Sequence, residues 1–191
     1  MDRSDQQLIA CYLKGDENSL EILIKNYLKP IYSFVYRYIG NSQDAEDITQ
    51  EVFVKTWRNL KKFDRNRSFK TWIFSIAKNT CIDALKKKKT IPFSKFEDEA
   101  GRNVLLETLV DTAPLPNELF ERADITKILT SVTEKLSPQY RMVLFLRHND
   151  HFTFREIAEV SGEPLHTVKS RHRRALIQLK KLLTENSKLI I

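Results

Sequence analysis

Residues 41–89 read NSQDAEDITQEVFVKTWRNLKKFDRNRSFKTWIFSIAKNTCIDALKKKK, and apolar side chains recur at helical spacing through most of this stretch. From about Gln43, the residues Ala45, Ile48, Val52, Phe53, Thr56, Trp57 and Leu60 fall on one broad face. Asn41 or Ser42 can cap that helix, and acids fill its first turn, where the helix dipole favours them. A second helix opens at Ser68, an N-cap residue. Its inner face is Phe69, Trp72, Ile73, Ile76, Ala77, Cys81 and Ala84. Two adjoining amphipathic helices must bury their apolar stripes against further helices, so the expected fold class is all-α. The chain of 191 residues has only four glycines, which disfavours both a turn-dense β fold and a glycine-rich phosphate loop.

The polar faces of the two helices differ in sign. Asp44, Asp47 and Glu51 share one stripe of the first helix, and Val54 lies beside them, off the apolar arc. Asp47 and Glu51 are like charges at i, i+4 and repel slightly, whereas Glu51 has Lys55 one turn on. Charge alone permits two readings: a solvated helix face, or a docking surface for a basic partner. The loop that follows carries Lys61, Lys62, Arg65 and Arg67 around the single acid Asp64. The outer arc of the second helix holds Thr71, Ser75, Lys78, Asn79 and Lys86. Hydroxyls, an amide and cations on one surface suit phosphates and base edges. Trp57 and Trp72 read as core packing.

Before this stretch, residues 4–13 form a short amphipathic helix with Leu8, Ile9 and Leu13 inward. Gly15 ends it, and Asp16 caps a segment reaching Ile39 that Pro30 should kink or divide. Tyr32 and Tyr36 sit at its rim. Residues 1–89 therefore form a bundle of three or four helices. Residues 90–124 are acidic and contain Pro92, Pro114 and Pro116, the composition of a partly extended linker, with a short helix over 104–110. Helical spacing resumes over 119–136. Ser137-Pro138 restarts a helix that stops at Asn149-Asp150.

Thr153-Phe154-Arg155-Glu156 is a capping box, opening a short helix that ends at Ser161-Gly162. Pro164 starts the last helix, to about Leu183. Its inner arc is Leu165, Val168, Ala175, Leu176, Leu179, Leu182 and Leu183. His166, Thr167, Ser170, Arg173 and Arg174 face outward, flanked by Lys169 and Arg171. A short helix, a turn and a longer basic helix make a helix-turn-helix with a recognition helix for the major groove. A basic amphipathic surface helix is the alternative.

Net charge is +7 with an isoelectric point near 9.4, which suits a polyanionic partner. Basic blocks at 1–90 and 125–191 flank the acidic 91–124. Cys11 and Cys81 are too few for a disulfide framework or a zinc site. The first residues lack the pattern of a signal peptide, and no apolar run reaches membrane length, so a reducing cytoplasm and no membrane insertion are expected. No HExxH, CxxC, P-loop or nucleophile-elbow motif occurs. His148, His151, His166 and His172 lack ligand spacing, so neither a metal nor another cofactor is expected. A nuclease would need clustered carboxylates, and only Asp44, Asp47 and Glu51 offer them.

DAEDITQEVFVKTW, followed by F-x5-FKTWIFSIAKNTCIDALK, resembles region 2 of the extracytoplasmic-function (group IV) sigma factors of the sigma-70 family, the promoter-recognition subunits of bacterial RNA polymerase. FTFREIAEVSGEPLHTVKSRHRRALIQLKK resembles region 4 of the same family, where EIA, TVKSR and RAL are typical. The resemblance covers most of 10–183 and leaves the linker poorly matched. His166 stands where a glycine or small residue is common, and His172 replaces a usual apolar residue.

The resemblance implies two small helical domains, 1–89 and 125–191, joined by the acidic linker 90–124. It places Asp44, Asp47, Glu51 and Val54 against the clamp helices of the largest subunit of core RNA polymerase, and the C-terminal domain at the flap of the second subunit. It assigns Lys61, Lys62, Arg65, Arg67, Lys70, Thr71, Ser75, Lys78, Asn79 and Lys86 to the −10 element, where the loop and Asn79 hold a base flipped from the non-template strand. His166, Thr167, Lys169, Ser170, Arg171, Arg173 and Arg174 are assigned to the −35 element. It further implies a non-catalytic polymerase subunit, promoter DNA as a partner and an anti-sigma factor as a candidate partner. The rival expectation is a helix-turn-helix regulator that acts without being a polymerase subunit.

Overall fold

Capping chemistry sets where the helices begin. In the computed structural model, which describes residues 3–89, 129, 131–133 and 135–187, Ser4 closes a capping box with Gln7 and opens α1 (Asp5–Tyr12). Asp16 precedes α2 (Glu17–Ile39), but its carboxylate accepts from the Ser19 hydroxyl at 2.7 Å and caps no backbone N–H. Pro30 lies inside α2 without dividing it. Tyr27, Ile31 and Phe34 are buried on either side of the proline, so packing holds the helix through the missing backbone donor. Asn41 accepts from the Asp44 N–H and opens α3 (Ser42–Asn59), which tightens into a 3-10 turn at Leu60–Lys62. Ser68 accepts from the Thr71 N–H at 3.3 Å at the head of α4 (Phe69–Lys89).

In the C-terminal half, Ser137 caps α5 (Pro138–His148), with Pro138 at its first position. Thr153 and Glu156 form the expected capping box for α6 (Phe154–Ser161). The last helix, α7 (Leu165–Ser187), runs four residues past the expected Leu183. Every element among the described residues is helix or turn, the all-α class expected. Residues 129 and 131–133 are helical, whereas the expected helix at 104–110, the linker 90–124 and the whole of 119–128 lie outside the described residues.

The core of the N-terminal bundle forms where α2, α3 and α4 meet, with Ile31, Phe34, Val52, Phe69 and Ile73 fully buried. Leu8 and Ile9 of α1 close one end, while Leu13, expected inside, is 37 % exposed. Phe63 and Phe69 approach edge-on at 5.6 Å, and Trp72 packs on Phe63 at 4.8 Å, so Trp72 belongs to the core as read. Trp57 does not. It is 53 % exposed, and its indole N–H donates to the Tyr12 hydroxyl at 2.9 Å. The apolar arc of α3 is wider than the cover α2 and α4 supply, so its edge residue is left at the surface.

One feature of α4 changes the picture of two separate domains. Phe74, one position past the expected apolar face, is fully buried and meets Phe152 edge-on at 4.9 Å. Met142, Val143, Leu146, Phe152, Ile157, Val160 and Val168 continue the same buried cluster as Leu8 through Cys81. The helix-turn-helix therefore packs directly on α4 through α6, and α5 packs on α2. A smaller cluster of Leu136, Leu144 and Ala175 fastens α5 to α7.

Candidate functional site

The acidic stripe of α3 keeps the exposure that a docking surface needs. Asp47 and Glu51 are exposed, Asp44 is half-buried in the first turn, and Val54 is 44 % exposed beside them. Glu51 is not idle: its carboxylate pairs with the Lys55 ammonium at 2.7 Å. Lys55 also donates to the Thr80 hydroxyl of α4 at 3.2 Å, so this cation is shared between the stripe and the helix packing.

The α3–α4 loop presents Lys61, Lys62, Arg65 and Arg67 to solvent. Its one acid, Asp64, orders the turn, accepting from the Asn66 N–H with its carboxylate and from the Arg67 N–H with its carbonyl, each at 3.0 Å. Asn79 and Lys86 are also exposed. The rest of the candidate set is covered. Lys70 donates to the Asp150 carbonyl at 2.7 Å and lies over the Phe152 ring at 4.3 Å. Thr71 is 3 % exposed, and its hydroxyl has no hydrogen-bond partner among the described residues. Ser75 donates to the Thr71 carbonyl at 2.9 Å. Lys78 donates to the Ser161 carbonyl at 3.1 Å. Burial lowers the Lys78 pKa, with Glu163 opposing the shift. The expected solvent-facing arc of α4 is thus corrected: Lys78 bonds the C-terminal unit, Thr71 and Ser75 are covered, and Asn79 and Lys86 keep their exposure.

Gly162 takes the left-handed conformation, φ 69°, that lets α6 turn sharply into α7. On α7, His166, Lys169, Ser170, Arg173 and Arg174 are exposed, and Thr167 is half-buried. Arg171 is half-buried and held in an ion pair with Glu163 inside the turn, so its guanidinium is oriented by the motif itself. Leu176, expected inward, is 41 % exposed, because α5 covers Ala175 and leaves the next position open.

Asp150, read from the sequence only as part of a helix stop, sits where the two halves meet. Its Oδ2 is buried with no hydrogen-bond partner among the described residues. Burial pushes its carboxyl up to about 6, against the opposing pull of Arg37, Lys70 and His151. The packed state therefore prefers the neutral acid. Its contribution to stability is fully present below the ordinary carboxylate pKa and is lost as pH rises through about 6. Asp150→Asn is expected to raise the unfolding temperature at pH 7.5, with the gain shrinking to nothing near pH 4; thermal unfolding across that range checks it. A mutant less stable than wild type at pH 7.5 would contradict the sign.

Two further juxtapositions escaped the sequence. Phe152 precedes the Thr153 cap, the position a hydrophobic staple uses, and that signal could have marked it as buried. His148 and His172 meet across α5 and α7 though 24 residues separate them. Among the described residues there is no group of three or more His, Cys, Asp or Glu able to hold a metal, and no helix is long and apolar enough to cross a membrane.

Residues 23–91 match the Sigma-70 region 2 family, and residues 126–179 match Sigma-70, region 4. The chain is 32 % identical to the ECF RNA polymerase sigma factor SigW of Bacillus subtilis, over 90 % of this chain and 92 % of that protein. It is 31 % identical to the ECF RNA polymerase sigma-E factor of Escherichia coli K12, over 90 % of each. Among solved structures, the sigma factor RpoE in complex with the anti-sigma factor NepR from Bartonella quintana superposes with a TM-score of 0.68 at 20 % identity, covering 86 % of this chain and 96 % of that one. CnrH in complex with the cytosolic domain of CnrY gives 0.67 at 22 % identity, covering 96 % and 99 %. At those identities the two structures speak for the fold.

Proposed function

We propose a division of labour that proceeds from one premise: the chain belongs to the extracytoplasmic-function sigma factors of the sigma-70 family. As a sigma factor it directs bacterial RNA polymerase core to promoters and assists their melting. On our reading it does so in the cytoplasm as a non-catalytic specificity subunit, with residues 1–89 and 125–191 as its two working units. Asp44, Asp47, Glu51 and Val54 dock on the core polymerase, at the clamp helices of its largest subunit. The loop cations, with Lys70, Thr71, Ser75, Lys78, Asn79 and Lys86, engage the −10 element. The outer face of α7, from His166 to Arg174, reads the −35 element, and the C-terminal unit rests on the flap of the second subunit.

The observation that carries this assignment is that α3 bears the exposed acids and leads directly into the basic loop. One rigid helix then couples a polymerase-facing surface to a promoter-facing one, which a free-standing regulator would not need. The covered face of α4 adds a requirement. Lys70, Thr71, Ser75 and Lys78 can touch DNA only after α6 and the 149–153 turn leave α4. The structure is thus a closed arrangement, and initiation proceeds from an open one. RpoE was solved with the anti-sigma factor NepR, which supports a partner of that kind for this chain.

Asn79 tests the promoter side without disturbing closure, because it is exposed already. Its amide can pair with the edge of an unstacked base. Asn79→Ala is expected to slow promoter opening by roughly tenfold, the scale of one lost hydrogen bond to a base, with core binding unchanged. Permanganate reactivity of the melted region reads the opening directly. Unaltered reactivity and unaltered transcription in the variant would remove Asn79 from the site.

A further inference from the structure

The His148 and His172 rings lie 5.3 Å apart at an interplanar angle of 26°, with their Nε2 atoms 3.0 Å from each other. His148 is the last residue of α5, and His172 stands between Arg171 and Arg173 on α7. Phe154 of α6 meets the His172 ring edge-on at 5.1 Å and fixes its plane. A hydrogen bond between two such nitrogens needs one Nε2 that carries a proton to donate and one that is unprotonated to accept. The same pair of nitrogens also suits a metal ion. At a bond length of about 2.0–2.1 Å, two imidazole nitrogens at this separation subtend roughly 90° at an ion, and a small spread brings them to the tetrahedral angle.

We infer that His148 and His172 form a two-imidazole site for a late transition-metal dication such as Zn²⁺ or Ni²⁺, clipping the end of α5 to the middle of α7. Imidazole is the ligand type such ions prefer over hard cations. The carbonyl end of α5 carries the negative pole of the helix dipole, which favours a cation beside His148. Arg147 is the opposing charge nearby. Its guanidinium is drawn aside, donating to the Phe152 carbonyl at 2.9 Å and lying over the Phe154 ring at 4.9 Å. Arg171 is neutralised by Glu163, while Arg155 and Arg173 are exposed to solvent. No third ligand of the His, Cys, Asp or Glu type joins the pair among the described residues, so water completes the coordination and the ion exchanges readily. Because Arg171 and Arg173 flank His172, the clip sets how these two arginines sit relative to α5.

Calorimetric titration of the full chain with NiCl2 and ZnCl2 at pH 7.5 tests the site, with MgCl2 as the hard-cation control and His148→Gln and His172→Leu as variants. One Ni²⁺ per chain is expected, with a rise in unfolding temperature, no response to Mg²⁺, and binding that weakens as pH falls through the imidazole range. Each variant is expected to bind on the order of tenfold more weakly or worse. His148 is exposed, so His148→Gln keeps the fold and decides the matter even if His172→Leu unfolds. Undiminished binding in the variants, or no binding to the wild-type chain at millimolar ion, would overturn the inference.

Discussion

Phe152→Ala is expected to cost about 3–5 kcal/mol of stability and to part the C-terminal unit from α4. Phe152 is fully buried, its ring meets Phe74 edge-on, and the Lys70 ammonium lies over its face. Deleting the ring leaves a cavity between two units whose other direct polar links include Lys70 to the Asp150 carbonyl and Lys78 to the Ser161 carbonyl. Those two bonds end on lysines that water can satisfy equally well, so apolar contact dominates the closure. The N-terminal bundle keeps Phe69, Ile73 and Phe34 and should survive on its own core. Hydrogen exchange then reads the effect as faster exchange of amides over residues 70–78 and 142–160, with those of α2 and α3 little changed. On the proposed reading the opened variant also binds a −10 single strand more tightly than wild type. Retained protection over 70–78 would mean that the two units are held together by something other than this contact.

The second large effect concerns α3. Asp47→Lys with Glu51→Lys is expected to weaken association with core polymerase on the order of a hundredfold or more at low salt, because close interfacial charge pairs couple by about 1.5–7 kcal/mol. The loss should shrink as salt rises and screening sets in. Glu51 is tied to Lys55, so its reversal also sets two lysines one turn apart and costs the helix a few tenths of a kcal/mol. Asp47→Lys alone avoids that penalty and is the cleaner half of the test. Circular dichroism should find both proteins folded. A folded double variant that binds core polymerase as tightly as wild type would return these acids to the status of solvated surface.

Local chemistry made most of the helices readable. Asn41, Ser68, Ser137 and Thr153 each cap where the pattern of hydroxyl or amide before an apolar period expects a cap. The loop cations, Asn79, and His166, Lys169, Ser170, Arg173 and Arg174 of α7 were also legible as surface positions, since each falls off the apolar arc of its segment. What failed has a common cause. A helical wheel divides a helix into one inside and one outside, whereas α4 is buried on two sides. Thr71, Ser75 and Lys78 look like an outer arc, but Thr71 is buried and Lys78 bonds the Ser161 carbonyl, a long-range approach that no wheel contains. The His148–His172 contact is hidden for the same reason, because the crossing of α5 and α7, not sequence spacing, brings the rings together. Trp57 erred the other way: its place on the apolar arc is right, but α2 and α4 do not extend far enough to cover it.

The most direct measurement is promoter-specific transcription in a defined system of core RNA polymerase, this chain and genomic promoter fragments. The account predicts that the chain alone gives no footprint on promoter DNA at moderate salt. Core and chain together should produce transcripts from discrete start sites, each preceded by common −10 and −35 elements. A chain that protects promoter DNA without polymerase, and adds no specific initiation when core is supplied, would contradict it.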